Sequence, residues 1–151
     1  MDRQYSEERP IEVKKAGMLY VLNYDIRALS EEEIQSLWTE ISGEETAPDD
    51  TFKESHTFGY YTKVLPVGQW SRDGIVNAII RDKYRIDEME AITNNMAAIT
   101  AVFMQTLVSD GIVAATKYLK DSINDDNTKR FKEMQEWRAM AKKVASEIIK
   151  D

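Results

Sequence analysis

The sequence predicts an α+β fold, in which a small antiparallel sheet in the N-terminal third packs with a helical C-terminal two thirds. Residues 18–26 and 57–65 are rich in β-branched and aromatic side chains, a composition typical of strands. A capping box at Ser30 predicts a helix between these strands. From residue 69 onward apolar side chains recur every three to four positions, the spacing of amphipathic helices.

We expect one domain over residues 1–151, because that length is about the size of one ordinary domain. Within it, residues 1–16 are polar, with Arg9 before a proline, and predict an extended arm or a short edge strand. A strand-helix-strand unit follows at 17–68, and residues 69–151 are helical.

The helix predicted at residues 30–42 has the clearest boundaries in the N-terminal half. Ser30 and Glu33 have the spacing of a capping box, and Gly43 is a natural helix terminator. Its apolar residues lie at i, i+3, i+4 and i+7, which predicts one buried stripe: Ile34, Leu37, Trp38 and Ile41. A polar loop is expected at residues 44–56.

Four helices are predicted in the C-terminal part. The first begins after Ser71, and the second has a box-like start at Asp87 and Glu90. The second helix continues to about Leu107 with apolar spacing typical of a buried helix. After a break at residues 109–111, a shorter helix has one apolar side, formed by Ile112, Thr116, Leu119 and Ile123. The last helix, at 128–149, is expected to close the core.

Charge and composition exclude several classes of function. The net charge of −7 divides into −8 for residues 1–60, −1 for 61–116 and +2 for 117–151, which makes general nucleic-acid binding unlikely. The chain has no cysteine and therefore no disulfide, thiolate metal site or cysteine nucleophile. No segment is expected to approach a membrane span or a signal peptide, which predicts a protein made and kept inside a cell, or inside a particle assembled there.

No motif predicts a cofactor, a metal site or a catalytic residue. His56 is the only histidine, and a surface or capping role is expected for it. The run at residues 124–127 lacks the glycine and glutamate of a calcium loop and predicts a helix-capping turn. The six glycines form no phosphate-binding motif.

Two sets of residues are candidates for macromolecular contacts. Aromatic side chains of the predicted sheet region are candidates for a protein interface, because tyrosine and tryptophan are enriched in interface centres: Tyr20, Tyr24, Phe58, Tyr60, Tyr61 and Trp70. Basic residues at helix ends are the alternative candidates, for nucleic-acid contact: Arg81, Lys83, Arg85, Lys129, Arg130 and Lys132.

Three stretches of the chain carry a resemblance to a known group of proteins. They are Tyr-Tyr-Thr-Lys-Val-Leu-Pro-Val-Gly-Gln-Trp at 60–70, the helix-forming residues 73–84, and Asp-Glu-Met-Glu-Ala-Ile-Thr-Asn-Asn at 87–95. With residues 131–142, they resemble uncharacterised small proteins encoded by tailed phages and prophages of gut Bacteroidota. The resemblance implies a virion component or assembly factor near the tail or fibres, and it implies no catalytic residue. After Asn95 the chain departs from the family pattern, because its apolar segment 96–123 is longer than expected.

The sequence therefore predicts a non-enzymatic structural or assembly protein of a tailed bacteriophage. Its expected partners are other phage structural proteins or a second copy of itself, and no membrane. One alternative is a nucleic-acid-associated phage protein that uses the basic helix ends. The other is a small enzyme without a recognisable motif.

Overall fold

A computed structural model describes residues 1–150 and confirms the α+β fold class. The strands are β1 (Gln4–Ser6), β2 (Val13–Ala16), β3 (Leu19–Ala28) and β4 (Phe58–Pro66). The helices are α1 (Glu31–Ser42), α2 (Asp50–Ser55), α3 (Arg72–Lys83), α4 (Ile86–Asp110), α5 (Ile112–Ser122) and α6 (Asp126–Ile148).

The four strands form one antiparallel sheet in the order β1-β4-β3-β2. The long central strands pair with Tyr20 opposite Leu65 and Tyr24 opposite Tyr61. Directly opposed residues share a face of the sheet, so Leu22, Tyr24 and Leu65 all lie on one face. These three are buried, which makes this the core face of the sheet.

The segment at 1–16, predicted as an extended arm or a short edge strand, contains both edge strands of the sheet, because β4 and β3 offer backbone hydrogen-bond partners that are distant in sequence. One segment differs from the sequence prediction. The expected loop at 44–56 contains α2, because the Asp49 carboxylate accepts a hydrogen bond from the Phe52 amide at 2.7 Å and caps a helical turn.

Helix α1 has the predicted capping box. The Ser30 hydroxyl accepts from the Glu33 amide at 3.2 Å, and the Ser30 amide donates to the Glu33 carboxylate at 3.0 Å. The hydrogen bond from the Ser30 amide lowers the pKa of Glu33 below its ordinary value of 4.5, and the hydrogen bond from Arg27 lowers it further. The cap is therefore complete above that pH and weakens as acid protonates Glu33. The predicted buried stripe of α1 is only half-buried, and Ile41 is exposed.

The chain divides into two compact units, and α3 and α6 contribute residues to both. The first unit contains residues 1–78 and the chain from Val144 on; it includes the sheet, α1 and α2. In this unit Ile75 and Ala145 are fully buried, and the Arg72 guanidinium donates to the Ile149 carbonyl at 3.0 Å.

The second unit contains residues 79–143 and has a small core of its own. Tyr84, Ile92 and Met134 are buried there, and the half-buried Met89, Phe131 and Trp137 pack around them. The Trp137 indole donates to the Ile79 carbonyl at 3.1 Å, and the Lys83 ammonium lies 4.5 Å from its ring centroid. The final helix thus supplies buried residues as predicted, including Met134 and Ala141.

The start of α4 differs from its prediction. The helix begins at Ile86, and its N-cap Arg85 makes no capping hydrogen bond with its side chain. Instead the Arg85 guanidinium pairs with Asp87 at 3.2 Å. The box-like spacing of Asp87 and Glu90 therefore gives no capping box, because both residues already lie inside the helix.

Replacing Ser30 by Ala should lower the free energy of unfolding by about 1 kcal/mol, because the Glu33 amide loses its capping acceptor. Urea denaturation followed by circular dichroism measures the effect. Ser36→Ala is the control, because the Ser36 hydroxyl donates a hydrogen bond to the Glu32 carbonyl within the same helix and caps no helix end. Equal midpoints for the two variants would show that the cap contributes nothing.

Gly74 lies in the first turn of α3, where a Cβ atom would collide with the Gln69 carbonyl oxygen. Gly74→Ala should therefore destabilise the fold by about 2 kcal/mol. Gly68→Ala is the matched control, since a Cβ atom there meets nothing within 4 Å. Thermal unfolding measures the melting temperatures of the two variants. Equal melting temperatures would contradict the predicted collision.

Candidate protein interaction surfaces

The aromatic residues predicted as an interface lie on both faces of the sheet. Tyr20, Tyr24 and Tyr61 share the core face. Trp70 stacks on Tyr20 with ring centroids 4.1 Å apart, and so belongs with them. Phe58 and Tyr60 alternate with Tyr61 along β4, which places both on the opposite face.

The two groups differ in what covers them. Tyr24 is buried, its ring lies 5.6 Å from that of Tyr61, and the Arg3 guanidinium lies 5.4 Å from the Tyr61 ring. Phe58 and Tyr60 are half-buried, and Val64 on the same face is exposed. Tyr60 is therefore better placed than Tyr61 to contact a partner.

A shallow groove beside β1 holds a guanidinium with few partners. Arg3 lines this groove with Tyr5, Ser30 and Glu33. Its Nε and Nη2 atoms are buried and donate no hydrogen bond to any described residue, while Nη2 lies 3.9 Å from the Asp25 carboxylate. The groove also contains Glu32, so its charges are mixed, which disfavours a site for anions.

The basic residues of the nucleic-acid alternative lie in the second unit, and most contact neighbouring groups. Arg85 pairs with Asp87, Arg130 pairs with Glu88 at 3.1 Å, and Lys132 lies 3.9 Å from Glu136. Lys83 lies over aromatic rings. Arg81 and Lys129 complete the set and are exposed. These carboxylates reduce the positive potential that phosphate binding requires.

His56 has the structural role that the sequence predicts. It ends α2, its Nδ1 lies 2.9 Å from the Phe52 carbonyl oxygen, and its ring stacks on the Phe52 ring at 3.9 Å. The Tyr5 ring lies on it at 4.9 Å. In the part of the chain that the structure describes, no group of three or more acidic or histidine side chains could hold a metal ion.

The most distinctive surface is formed by α4 and α5, which pack as a helical hairpin around Gly111. Gly111 has φ +87°, a backbone conformation that favours glycine, and this turn lets α5 return along the second half of α4. Ile99, Phe103 and Leu107 of α4 are half-buried, and Ala115 of α5 is fully buried.

Large apolar side chains of this hairpin are nevertheless exposed. Between residues 96 and 123, five of them are between 53% and 85% exposed: Met104 53%, Ile123 58%, Ile112 70%, Val113 82% and Val108 85%. The prediction of a buried helix at 89–107 is therefore wrong in this chain, since Ile92 is the only residue of α4 that is buried. The reason is that the second unit has no further element to cover the distal half of α4.

Four of these five large apolar residues lie on two regular stripes, and Val113 lies outside both. On α5 and its C-cap, Ile112, Thr116, Leu119 and Ile123 follow the spacing i, i+4, i+7, i+11. On α4, the exposed residues Ala97, Ala101, Met104 and Val108 have the same spacing. Helical geometry in an antiparallel pair places both stripes on one side of the hairpin. We call these eight residues the hairpin face.

Helix α4 is also long and apolar enough to cross a membrane, by length and composition alone. The sequence expectation that no segment approaches a membrane span is therefore wrong for this helix. Core helices and signal sequences can be equally long and apolar, so the surroundings of α4 decide its role.

No family model, curated protein or solved structure matches this chain.

The two neighbouring tyrosines of β4 allow a test of the sheet interface. Tyr61→Ser should destabilise the fold by on the order of 1 kcal/mol or more, because it removes a ring packed near Tyr24 and Arg3. Tyr60→Ser should lower the free energy of unfolding less. It should instead weaken any assembly that uses the face of the sheet opposite the core. Chemical denaturation and sedimentation of both variants separate the effects. Equal losses of stability would show that the two faces are equally packed.

Proposed function

We propose that this protein is a non-enzymatic structural or assembly component of a tailed bacteriophage, acting through protein–protein contacts. Its partners are other phage structural proteins or further copies of the chain. It acts in the virion or in the cytoplasm of the host bacterium.

The hairpin face is the observation that carries this proposal. Exposed contiguous apolar patches of several hundred Å² are uncommon on monomers and mark sites of interaction. The hairpin also has little charge around its turn, since Asp110 is the only charged residue between Glu90 and Lys117. Apolar content with few charges is the composition of an interface centre.

The alternatives have weaker support. Three of the six basic residues proposed for nucleic-acid contact pair with carboxylates, and the net charge of the chain is −7. For an enzyme, His56 is the one histidine that could act as a base, yet its Nδ1 lies within hydrogen-bonding distance of the Phe52 carbonyl and the Ser55 hydroxyl. Both contacts are those of a helix end.

The phage setting comes from the resemblance of residues 60–95 and 131–142 to small proteins encoded by tailed phages. The eight residues of the hairpin face fall outside those stretches. The proposal therefore combines a setting taken from one part of the chain with a binding surface found in another.

Mass spectrometry of gradient-purified particles tests the proposal, and we expect the chain at a constant ratio to the other virion proteins if it is structural. Deleting its gene should lower the yield of infective particles. Wild-type protein should restore the yield, whereas Ile112→Glu with Ile123→Glu should restore it at least about tenfold less well, because charge is placed in an apolar interface.

Ile41→Glu is the matched control, because Ile41 is equally exposed at 65% but lies on α1. It should complement like wild type. A chain absent from particles, combined with an unchanged particle yield after gene deletion, would overturn the proposed function.

A further inference from the structure

We propose that the hairpin face binds a second copy of this chain, so that two α4–α5 hairpins pair around a two-fold axis. This inference rests on the proposed function in one respect, that the hairpin face is an interface. It adds the identity of the partner and the geometry of the contact.

The α5 stripe has the spacing of a coiled-coil seam, because i, i+4, i+7 and i+11 alternate steps of four and three residues. Such a seam packs against a second helix at a crossing angle of roughly 20°. Antiparallel pairing about a two-fold axis places Ile112 beside Ile123 of the second copy, and Thr116 beside Leu119 of the second copy. The stripe is thus complementary to itself, as a symmetric interface requires.

The α4 stripe widens this contact. Met104 and Val108 lie beside the α5 stripe on the same side of the hairpin, while Ala97 and Ala101 have small side chains that allow a helix to approach closely. Two paired hairpins would form a four-helix arrangement with these residues in its centre.

Charge favours a second copy at this surface. Two chains of net charge −7 repel each other over most of their surfaces. Between Glu90 and Ile123 each chain has two acids, Asp110 and Asp121, and two bases, Lys117 and Lys120, so contact through the hairpin face brings no excess of like charge together.

The available area is on the scale of a dimer interface. The large side chains of the face, with Leu119 at 42% exposure and four others at 53% to 85%, contribute several hundred Å² per copy. The two alanines, Thr116 and the neighbouring helix surfaces add to it, against the roughly 800 Å² per partner of a standard interface.

A membrane fits this surface less well. Because α5 returns along α4, a membrane-spanning α4 would carry Lys117, Lys120 and Asp121 into the hydrocarbon region. Charged side chains there are costly. Helix α5 has 11 residues, about 16 Å, and is too short to span the roughly 30 Å hydrocarbon core.

Sedimentation equilibrium of the full chain, from micromolar to near-millimolar concentration, tests the proposal. We expect a reversible dimer of twice the 17.4 kDa chain mass. Ile112→Glu with Ile123→Glu should weaken the dimer more than about tenfold, while Ile41→Glu should leave its dissociation constant unchanged. Circular dichroism checks that all three proteins have the wild-type helix content.

The absence of native cysteines allows the geometry to be tested separately. An equimolar mixture of Ile112→Cys and Ile123→Cys chains, oxidised with diamide, should form the mixed disulfide faster than either variant forms its own. Ile41→Cys mixed with Ile123→Cys is the control and should cross-link only slowly.

Three outcomes would overturn the inference: a wild-type chain that stays monomeric throughout, a dimer that the two glutamates leave intact, or a monomer that floats with anionic phospholipid vesicles. A monomeric chain that is still found in phage particles would refute the dimer alone and leave the proposed function in place. A dimer missing from particles whose yield does not depend on the gene would refute the function alone.

Discussion

The removal of apolar side chains from water is the constraint on which the rest of this structure depends. The sheet meets it by placing Leu22, Tyr24 and Leu65 on one face, and the second unit meets it around Tyr84, Ile92 and Met134. Within one chain, the distal half of α4 and most of α5 leave large apolar side chains exposed to water. That imbalance singles out the hairpin, because its apolar side chains are arranged in stripes and not scattered singly.

Local signals in the sequence predicted local structure well. Ser30, Gly43 and Gly111 act through neighbours within a few residues, so the bounds of α1 and the break between α4 and α5 were visible in advance. The edge strands β1 and β2 fall in the segment predicted as an extended arm or edge strand, but their bounds and pairing could not be predicted, because their partners are supplied by distant residues. Helix α2 was missed because one carboxylate, from Asp49, organises an otherwise polar segment.

The candidate surfaces were harder to predict, because exposure depends on what packs where. Periodicity in residues 89–107 correctly predicted a helix but not its exposure, since the same stripe serves a core or an interface. The aromatic residues of the sheet were identified as a group, yet alternation along β4 separates Tyr60 from Tyr61. The scarcity of charge between Glu90 and Lys117 is the feature of the sequence that indicates an exposed apolar surface there.

Pairing of two hairpins would resolve the conflict between the pattern of residues 96–123 and their exposure. In the proposed dimer, Ile112, Leu119 and Ile123 become core residues, as their spacing indicates, although the core belongs to two chains. Stability of the second unit then depends on protein concentration, because a partner that binds only the folded chain stabilises it by mass action. The hairpin would be least stable in the free chain and most stable where copies of the chain are concentrated.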